Sequence, residues 1–395
     1  MNMKTMIPAV LLAIAPTLGA EAQSKSGLDL TNLDKTVRPA DDFYQFATGG
    51  WQKLHPLPAA YSRFGSFDML QDDNNKRINS ILSDLQKKKY KKGTTEWKLA
   101  TFYKQALDVD SRNKAGIAPV KPLLDEMEAA KTISDLQQLQ LKSMPMGYGV
   151  QYAWFFDADQ KNAKMNILNI YQSGLTLGQK DYYVNNDSAT VAIRNAYRQH
   201  IARMFQLYGF TKEQAETRAA AVFRTETMVA LISKSQTELR DPQANYTKMT
   251  LKEFNENYPN LRLAALTNAE GIQAQYIDSM VVGQPSFLAG LDKIVSLYTA
   301  DELRALMEWD VIQNSVGYLS DEIREANFDF FGKTMSGRKE DYPLWKRATS
   351  QVEGAMGEAL GRIYCERYFP ESSKKMMEQL VRNLQVSLGQ RIDAQ

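Results

Sequence analysis

Apolar residues recur at helical spacing through most of the chain. One stripe contains Phe67, Leu70, Ile78, Ile81, Leu82 and Leu85, and a second contains Ile193, Tyr197, Ile201, Met204 and Tyr208 before Gly209. Residues three or four positions apart lie on one face of an α-helix, so each stripe predicts an amphipathic helix. The pattern therefore predicts a mainly helical protein.

Four further helix starts carry a capping signature, in which a threonine is followed three residues later by an acid or an amide. The pairs are Thr132 with Asp135, Thr211 with Gln214, Thr250 with Glu253, and Thr299 with Glu302. In such a pair, each side chain satisfies a backbone N–H group at the start of the helix. A last helical pattern runs from Met377 past Leu388 to Ile392, and no turn signal closes it. We therefore expect the fold to continue beyond Gln395.

The stretch from Tyr148 to Tyr171 departs from the helical pattern. Aromatic and branched residues lie on either side of the polar run D-A-D-Q-K-N-A-K. Two such runs around a polar turn are typical of a β-hairpin. With no internal repeat to indicate a solenoid, the predicted fold class is mainly α, a large helical domain with a small β-hairpin.

Composition and charge exclude some classes of partner. The chain has 395 residues and is 44% hydrophobic, enough for a sizeable core, and its 48 Lys+Arg nearly balance its 46 Asp+Glu. Such a balance gives no overall attraction to nucleic acid, so we expect no nucleic-acid partner.

The first residues have the pattern of a secretory signal peptide. Lys4 is followed by an apolar stretch from Met6 to Leu18 and by small residues up to Ala22, which predicts cleavage before Gln23. We expect a signal peptide over 1–22, a polar segment over 23–38 and an exported protein, periplasmic or extracellular. No later stretch approaches about 20 apolar residues, so no membrane span is expected.

Candidate catalytic groups are scarce. A zinc site commonly uses two histidines four residues apart on one helix, but His55 and His200 are far apart and H-E-x-x-H does not occur. Cys365 has no cysteine partner and is interpreted as a small packed hydrophobic residue. We expect no metal ligand and no catalytic residue in this chain.

Other familiar reaction motifs are missing as well. Neither G-x-S-x-G nor a glycine-rich phosphate loop occurs. Acid pairs could serve glycoside hydrolysis, yet Asp41 and Asp42 are interpreted as helix caps, and Asp72 and Asp73 as a solvated face. An enzyme built on unrecognised carboxylates remains a minor alternative.

Five stretches nevertheless form a recognisable series. They are R-P-A-D-D-F-Y-Q-F-A-T-G-G-W at 38–51, P-L-P-A-A-Y-S-R-F-G-S-F-D at 56–68, G-L-T-L-G-Q-K-D-Y-Y at 174–183, R-D-P-Q-A-N-Y-T-K-M-T at 240–250, and W-K-R at 345–347 followed by the G-E-A-L-G-R-I-Y helix. In type and order they resemble the neprilysin-like zinc metallopeptidases, peptidase family M13, in its bacterial oligopeptidase branch. The resemblance covers nearly all of the chain after the polar segment.

The resemblance implies a two-part enzyme in which a large helical domain closes over a thermolysin-like catalytic domain and leaves a chamber for peptides. Residues 39–395 correspond to the helical N-terminal domain. The resemblance places the zinc, the H-E-x-x-H motif and the C-terminal catalytic domain beyond this chain. We therefore expect zinc in the full-length enzyme, none in this chain, and no activity from the chain alone.

Arg63 is the one residue for which the resemblance implies contact with substrate. In the neprilysin-like family, the arginine of the stretch that matches S-R-F-G-S-F-D is implicated in binding the free C-terminal carboxylate of short peptides, and Arg63 falls on that position. A planar guanidinium can bind a carboxylate through two parallel hydrogen bonds. Alternatively, Arg63 braces its loop by stacking on Phe64 or Phe67.

Gly49, Gly50 and Trp51 are interpreted as structural, the glycines permitting a tight turn and the indole filling the core. For the chain as a whole, the alternative to a peptidase domain is a non-enzymatic helical protein of the cell envelope that binds peptides.

Overall fold

The structure is a computed structural model that describes residues 29–149 and 151–394. The predicted signal peptide lies outside the described residues. Contacts divide the chain into a first unit, residues 1–58, and a second unit, residues 59–395, and each is described by itself. Among the described residues, no helix has both the length and the apolar character needed to cross a membrane.

The described part of the first unit contains a 3-10 helix, Leu30–Asn32, and helix α1, Phe43–Leu54. Asp42 caps α1, because its side chain accepts a hydrogen bond of 2.9 Å from the backbone N–H of Gln45. Asp41 is not a cap, since it forms an ion pair with Arg38 instead.

The predicted tight turn at Gly49 and Gly50 is wrong, because both glycines lie inside α1. A Cβ atom on Gly50 would overlap the carbonyl oxygen of Thr31, so glycine is required by the close approach of two backbone segments. The Trp51 indole is half-buried and stacks on the ring of His55 at 4.7 Å. It therefore does not fill a core as predicted.

Helices make up most of the second unit, which confirms the predicted fold class. They are α2 (Ser66–Gln86), α3 (Thr95–Leu107), α4 (Val109–Ala115), α5 (Lys121–Ala129), α6 (Ile133–Ser143), α7 (Asp181–Val184), α8 (Ser188–Leu207), α9 (Lys212–Ile232), α10 (Leu251–Asn257), α11 (Leu263–Ala269), α12 (Pro285–Ser296), α13 (Ala300–Ser315), α14 (Asp321–Asn327), α15 (Leu344–Tyr368) and α16 (Glu371–Asp393), with a π-helix at Phe328–Met335. Short 3-10 helices connect some of them.

All four predicted capping pairs are present. Thr132, Thr211, Thr250 and Thr299 cap α6, α9, α10 and α13, each with the reciprocal side chain three residues later.

The sheet has four strands in the order β1-β2-β4-β3: β1 (Tyr152–Asp159), β2 (Asn162–Gln172), β3 (Thr247–Thr250) and β4 (Ser279–Val282). The antiparallel pair β1 and β2 is the predicted hairpin. β4 pairs parallel with β2, with Leu168 opposite Met280, and antiparallel with β3. The sequence interpretation missed β3 and β4.

A small bundle of α2, α3 and α15 positions the candidate site. Its core includes Ile81 and Leu82 of α2, Leu99 of α3 and Val352 of α15, each fully buried. Only the later part of the predicted α2 stripe lies in the core, because Phe67 and Leu70 near the start of the helix are exposed.

Cys365 is exposed on α15, so its interpretation as a packed residue is wrong. Ile363, Tyr364 and Tyr368 pack against the bundle core from the same helix. Cys365 lies off that packed face.

Candidate functional site

Arg63 lies on a short segment that leads into α2. Helix α2 starts at Ser66, and the Asp68 carboxylate accepts a hydrogen bond of 2.8 Å from the backbone N–H of Gly65. The Arg63 side chain is exposed, and in the part of the chain described here its guanidinium has no carboxylate partner. The segment thus presents a free cation next to a fixed helix start.

Residues from far along the chain hold the backbone of this segment. The carbonyl oxygen of Ala59 accepts hydrogen bonds of 2.9 and 3.1 Å from the backbone N–H groups of Lys339 and Glu340. The carbonyl oxygen of Ala60 accepts one of 3.0 Å from Arg338 Nε. These three bonds fix the chain just before Arg63.

A buried lysine holds the next side chain. Lys346, which is only 8% exposed, donates hydrogen bonds to the Tyr61 hydroxyl, at 2.5 Å, and to the Asp72 carboxylate. Its ammonium also lies over the rings of Tyr61 and Tyr342, at 4.8 and 4.2 Å. We call Tyr61, Asp72, Tyr342 and Lys346 the lysine cage.

The charge states of Asp72 and Tyr61 in the lysine cage follow from their neighbours. Burial opposes ionisation of Asp72, but the hydrogen bonds from Lys346 and Tyr61 outweigh it and lower the pKa of the carboxyl. Burial, together with the neighbouring Asp72, raises the pKa of Tyr61 above its usual range. The cage therefore holds an ammonium, a carboxylate and a neutral phenol, which are mutually compatible.

An aromatic ring of the loop packs on the lysine cage. The Phe64 ring packs edge-on against Tyr61 at 5.1 Å, and Phe67 is 86% exposed. Leu70, three residues later on α2, is 61% exposed. An exposed cation followed by an exposed apolar strip is suited to a ligand with a carboxylate and apolar side chains.

Sequence reasoning singles out Arg63, whose contact with substrate stays a prediction, and misses the lysine cage. The sequence interpretation places Asp72 on a solvated face, but the structure pairs its carboxylate with the buried Lys346. The only signal in the sequence was the W-K-R stretch, which contains Lys346. Nothing in the local pattern pairs that stretch with Tyr61.

A second polar cluster is built by the G-L-T-L-G-Q-K-D-Y-Y stretch. Glu226 of α9 is 4% exposed and accepts hydrogen bonds from the hydroxyls of Thr176, Tyr183 and Tyr197, at 2.5, 2.7 and 2.9 Å. Burial raises the pKa of Glu226 to about 7, although these donors oppose the shift. The cluster lies at the wall of a cavity of about 340 Å³.

The two histidines have separate structural roles. His200 is buried and stacks on the Phe330 ring at 4.9 Å, and burial lowers the pKa of its imidazole to about 4. His55 Nδ1 donates a hydrogen bond of 3.0 Å to the carbonyl oxygen of Trp51. Within the described ranges, no three His, Cys, Asp or Glu side chains are grouped so that they could hold a metal ion. The residues described here do not fit a catalytic zinc.

Comparison with known proteins gives the class of this fold and site. Residues 39–395 match Peptidase family M13, and the chain therefore belongs to this family. This confirms the resemblance seen in the sequence.

Curated relatives extend well beyond the matched region. Neprilysin of Mus musculus is 26% identical over 394 residues, which cover 92% of this chain and 52% of neprilysin. The endothelin-converting enzyme homolog of Locusta migratoria is 26% identical over 376 residues, which cover 91% of this chain and 51% of that protein. The chain thus spans about half the length of the curated relatives it matches.

Solved structures show the same fold. A zinc metalloprotease of Mycobacterium tuberculosis, in complex with an inhibitor, has a TM-score of 0.83 at 26% identity, with 91% of this chain and 54% of that chain covered. PepO of Lactobacillus rhamnosis has a TM-score of 0.73 at 22% identity, with 88% and 54% covered.

Proposed function

We propose that the chain is the helical N-terminal part of a zinc metallopeptidase that cleaves peptides, and that it forms walls of the substrate chamber. Membership of Peptidase family M13 and the likeness to a zinc metalloprotease support this proposal. The zinc and the hydrolytic groups would belong to a C-terminal catalytic part. Because the described residues do not fit a zinc site, no step of hydrolysis is assigned to them.

Within that enzyme, Arg63 binds the free C-terminal carboxylate of a peptide. One observation carries this role: hydrogen bonds to the carbonyl oxygens of Ala59 and Ala60, together with the lysine cage, hold the backbone beside Arg63, while its guanidinium is exposed and has no carboxylate partner among the described residues. A pre-positioned cation binds an anion at little cost in conformational entropy. The exposed rings and side chains that follow on α2 would contact the last residues of the peptide.

The test compares peptide pairs that differ only in having a free or an amidated C-terminus, using the full-length enzyme. Arg63→Gln should raise KM for the free acid by about ten- to a hundredfold, since a charged hydrogen bond contributes about 1.5–3 kcal/mol. The amidated peptide should change little. Arg362→Gln, an exposed arginine on α15, is the matched control.

Equal losses on both peptides would contradict the carboxylate role. Peptide binding that depends on Arg63 with no hydrolysis by the full-length protein would instead favour the non-enzymatic peptide-binding alternative.

We also propose export by removal of residues 1–22. N-terminal sequencing of the mature protein should then begin at Gln23, and a mature protein that retains Met1 would contradict it.

A further inference from the structure

A cavity of about 390 Å³ lies behind the lysine cage, between α4, α13, α14 and the start of α15. Arg112, Arg324 and Arg347 line it, together with Asp321 and Asp341. Its walls therefore carry three guanidinium groups and two carboxylates. Arg63 is not among the lining residues, so this cavity is separate from the proposed peptide site.

Both aspartates are already paired. Arg324 donates to Asp321 at 3.1 Å and to Asp341 at 2.5 Å. Asp341 also accepts a hydrogen bond of 3.1 Å from Arg338. Both carboxylates of the cavity wall thus already form ion pairs, with Arg324 or with Arg324 and Arg338.

Two arginines remain without a carboxylate in the described chain. Arg112 donates to the backbone carbonyl oxygen of Ala106, which does not neutralise its charge. The half-buried Arg347 has no ion pair among the residues described, and its Nε is buried without a hydrogen-bond partner. Burial and the like charge of Arg324 lower the pKa of Arg347, although Asp341 and Asp321 in the same wall partly oppose the shift.

Two more buried polar atoms on this wall have no partner in the described part of the protein. They are Nε2 of Gln313, a donor, and Oδ1 of Asn327. Buried polar atoms in native structures are nearly always hydrogen-bonded, to protein, water or ligand. Water could satisfy the two amides, but it would give neither Arg112 nor Arg347 a directly paired anion.

We propose that this cavity binds a small oxyanion, a carboxylate or a phosphate, through the guanidinium of Arg347, with Arg112 on the same wall. A planar guanidinium matches both oxyanions because it offers two parallel N–H donors. The volume accommodates either anion together with water molecules. Gln313 Nε2 on this wall is a donor for an oxyanion oxygen, whereas Asn327 Oδ1 is an acceptor and needs a water molecule or a protonated phosphate oxygen as its donor.

The experiment measures binding of inorganic phosphate and of acetate by calorimetry and by thermal unfolding of the full-length protein, against chloride at equal ionic strength. At about 100-fold excess over its dissociation constant, the bound anion should raise Tm by about 2–4 °C. Arg347→Gln should weaken binding at least about tenfold, and Arg347→Lys should weaken it less because the charge remains. Arg362→Gln is the control and should bind as the wild type.

Binding of phosphate alone, acetate alone or both supports an oxyanion site and distinguishes the source of the ligand. Equal Tm shifts in the wild type and in Arg347→Gln would show a general salt effect and overturn the proposal. If the variant does not fold, the wild type is treated with phenylglyoxal in the presence and absence of phosphate. Mass spectrometry then shows whether phosphate protects Arg347 from modification. Unprotected Arg347 would overturn the proposal, and none of these outcomes depends on Arg63.

Discussion

Glu226 shows what burial does to a single acidic residue. Its carboxyl is nearly inaccessible to water, and three hydroxyl groups surround it. Burial nevertheless raises its pKa to about 7 from an ordinary value of 4.5. Folding thus favours the protonated acid, and stability becomes linked to pH.

The sign of this linkage gives a prediction. The stabilisation from protonated Glu226 is complete below pH 4.5 and is lost as the pH rises through about 7. Glu226→Gln cannot ionise, so it should remove a fall in stability of about 2–3 kcal/mol between pH 5 and pH 8. Urea unfolding at several pH values measures this difference.

Glu358→Gln, at an exposed position on α15, serves as the control for Glu226. Glu308, whose pKa burial raises to about 8, titrates over part of the same range in every variant and therefore cancels in the comparison. An unchanged pH profile in Glu226→Gln would show that Glu226 is ionised in the folded protein at neutral pH.

Among the described α-helices longer than seven residues, only α16 has no buried residue. It carries a row of exposed apolar side chains, including Leu380, Leu384 and Leu388 at 48%, 60% and 61%. Such a face on a soluble protein usually contacts a partner surface. Under the proposed function, that surface would be the catalytic part of the enzyme.

Replacing Leu380 and Leu384 together with Gln should reduce the binding of a hydrophobic dye to the 395-residue chain by roughly a third. Tm should stay within about 1 °C, because surface substitutions cost little and Gln is a good helix former. Dye fluorescence and a thermal melt measure the two effects.

Leu297→Gln, which removes an isolated exposed leucine that is 79% accessible, should leave the dye signal almost unchanged. A large drop in Tm for the double variant would instead mean that the α16 face is packed in solution.

Elements that depend on local signals were predictable from the sequence. The four threonine caps and the β1–β2 hairpin are specified by residues a few positions apart, and all are present. β3 and β4 have four residues each and form only by pairing with distant strands, so local patterns could not show them. The lysine cage was missed for the same reason, because Tyr61 and Lys346 are 285 positions apart.

At the scale of the whole molecule, the proposed function predicts that this chain and the full-length enzyme respond differently to removal of metal. The purified 395-residue chain should retain less than about one-tenth of a zinc ion per molecule after dialysis, and a chelator should not change its Tm. The full-length enzyme should lose both zinc and peptidase activity under the same treatment. Elemental analysis and a peptidase assay measure these outcomes.

Stoichiometric zinc in the 395-residue chain, or a chelator-sensitive activity from it, would contradict the assignment of the metal to a separate catalytic part.

The three backbone bonds and the lysine cage also determine when the Arg63 site can form during synthesis. The Ala60 and Tyr61 contacts join residues 278 and 285 positions apart. Chains emerge from the ribosome N-terminus first, and contacts between distant residues close late in folding. A growing chain therefore carries Arg63 on an unanchored segment until residue 346 has been made.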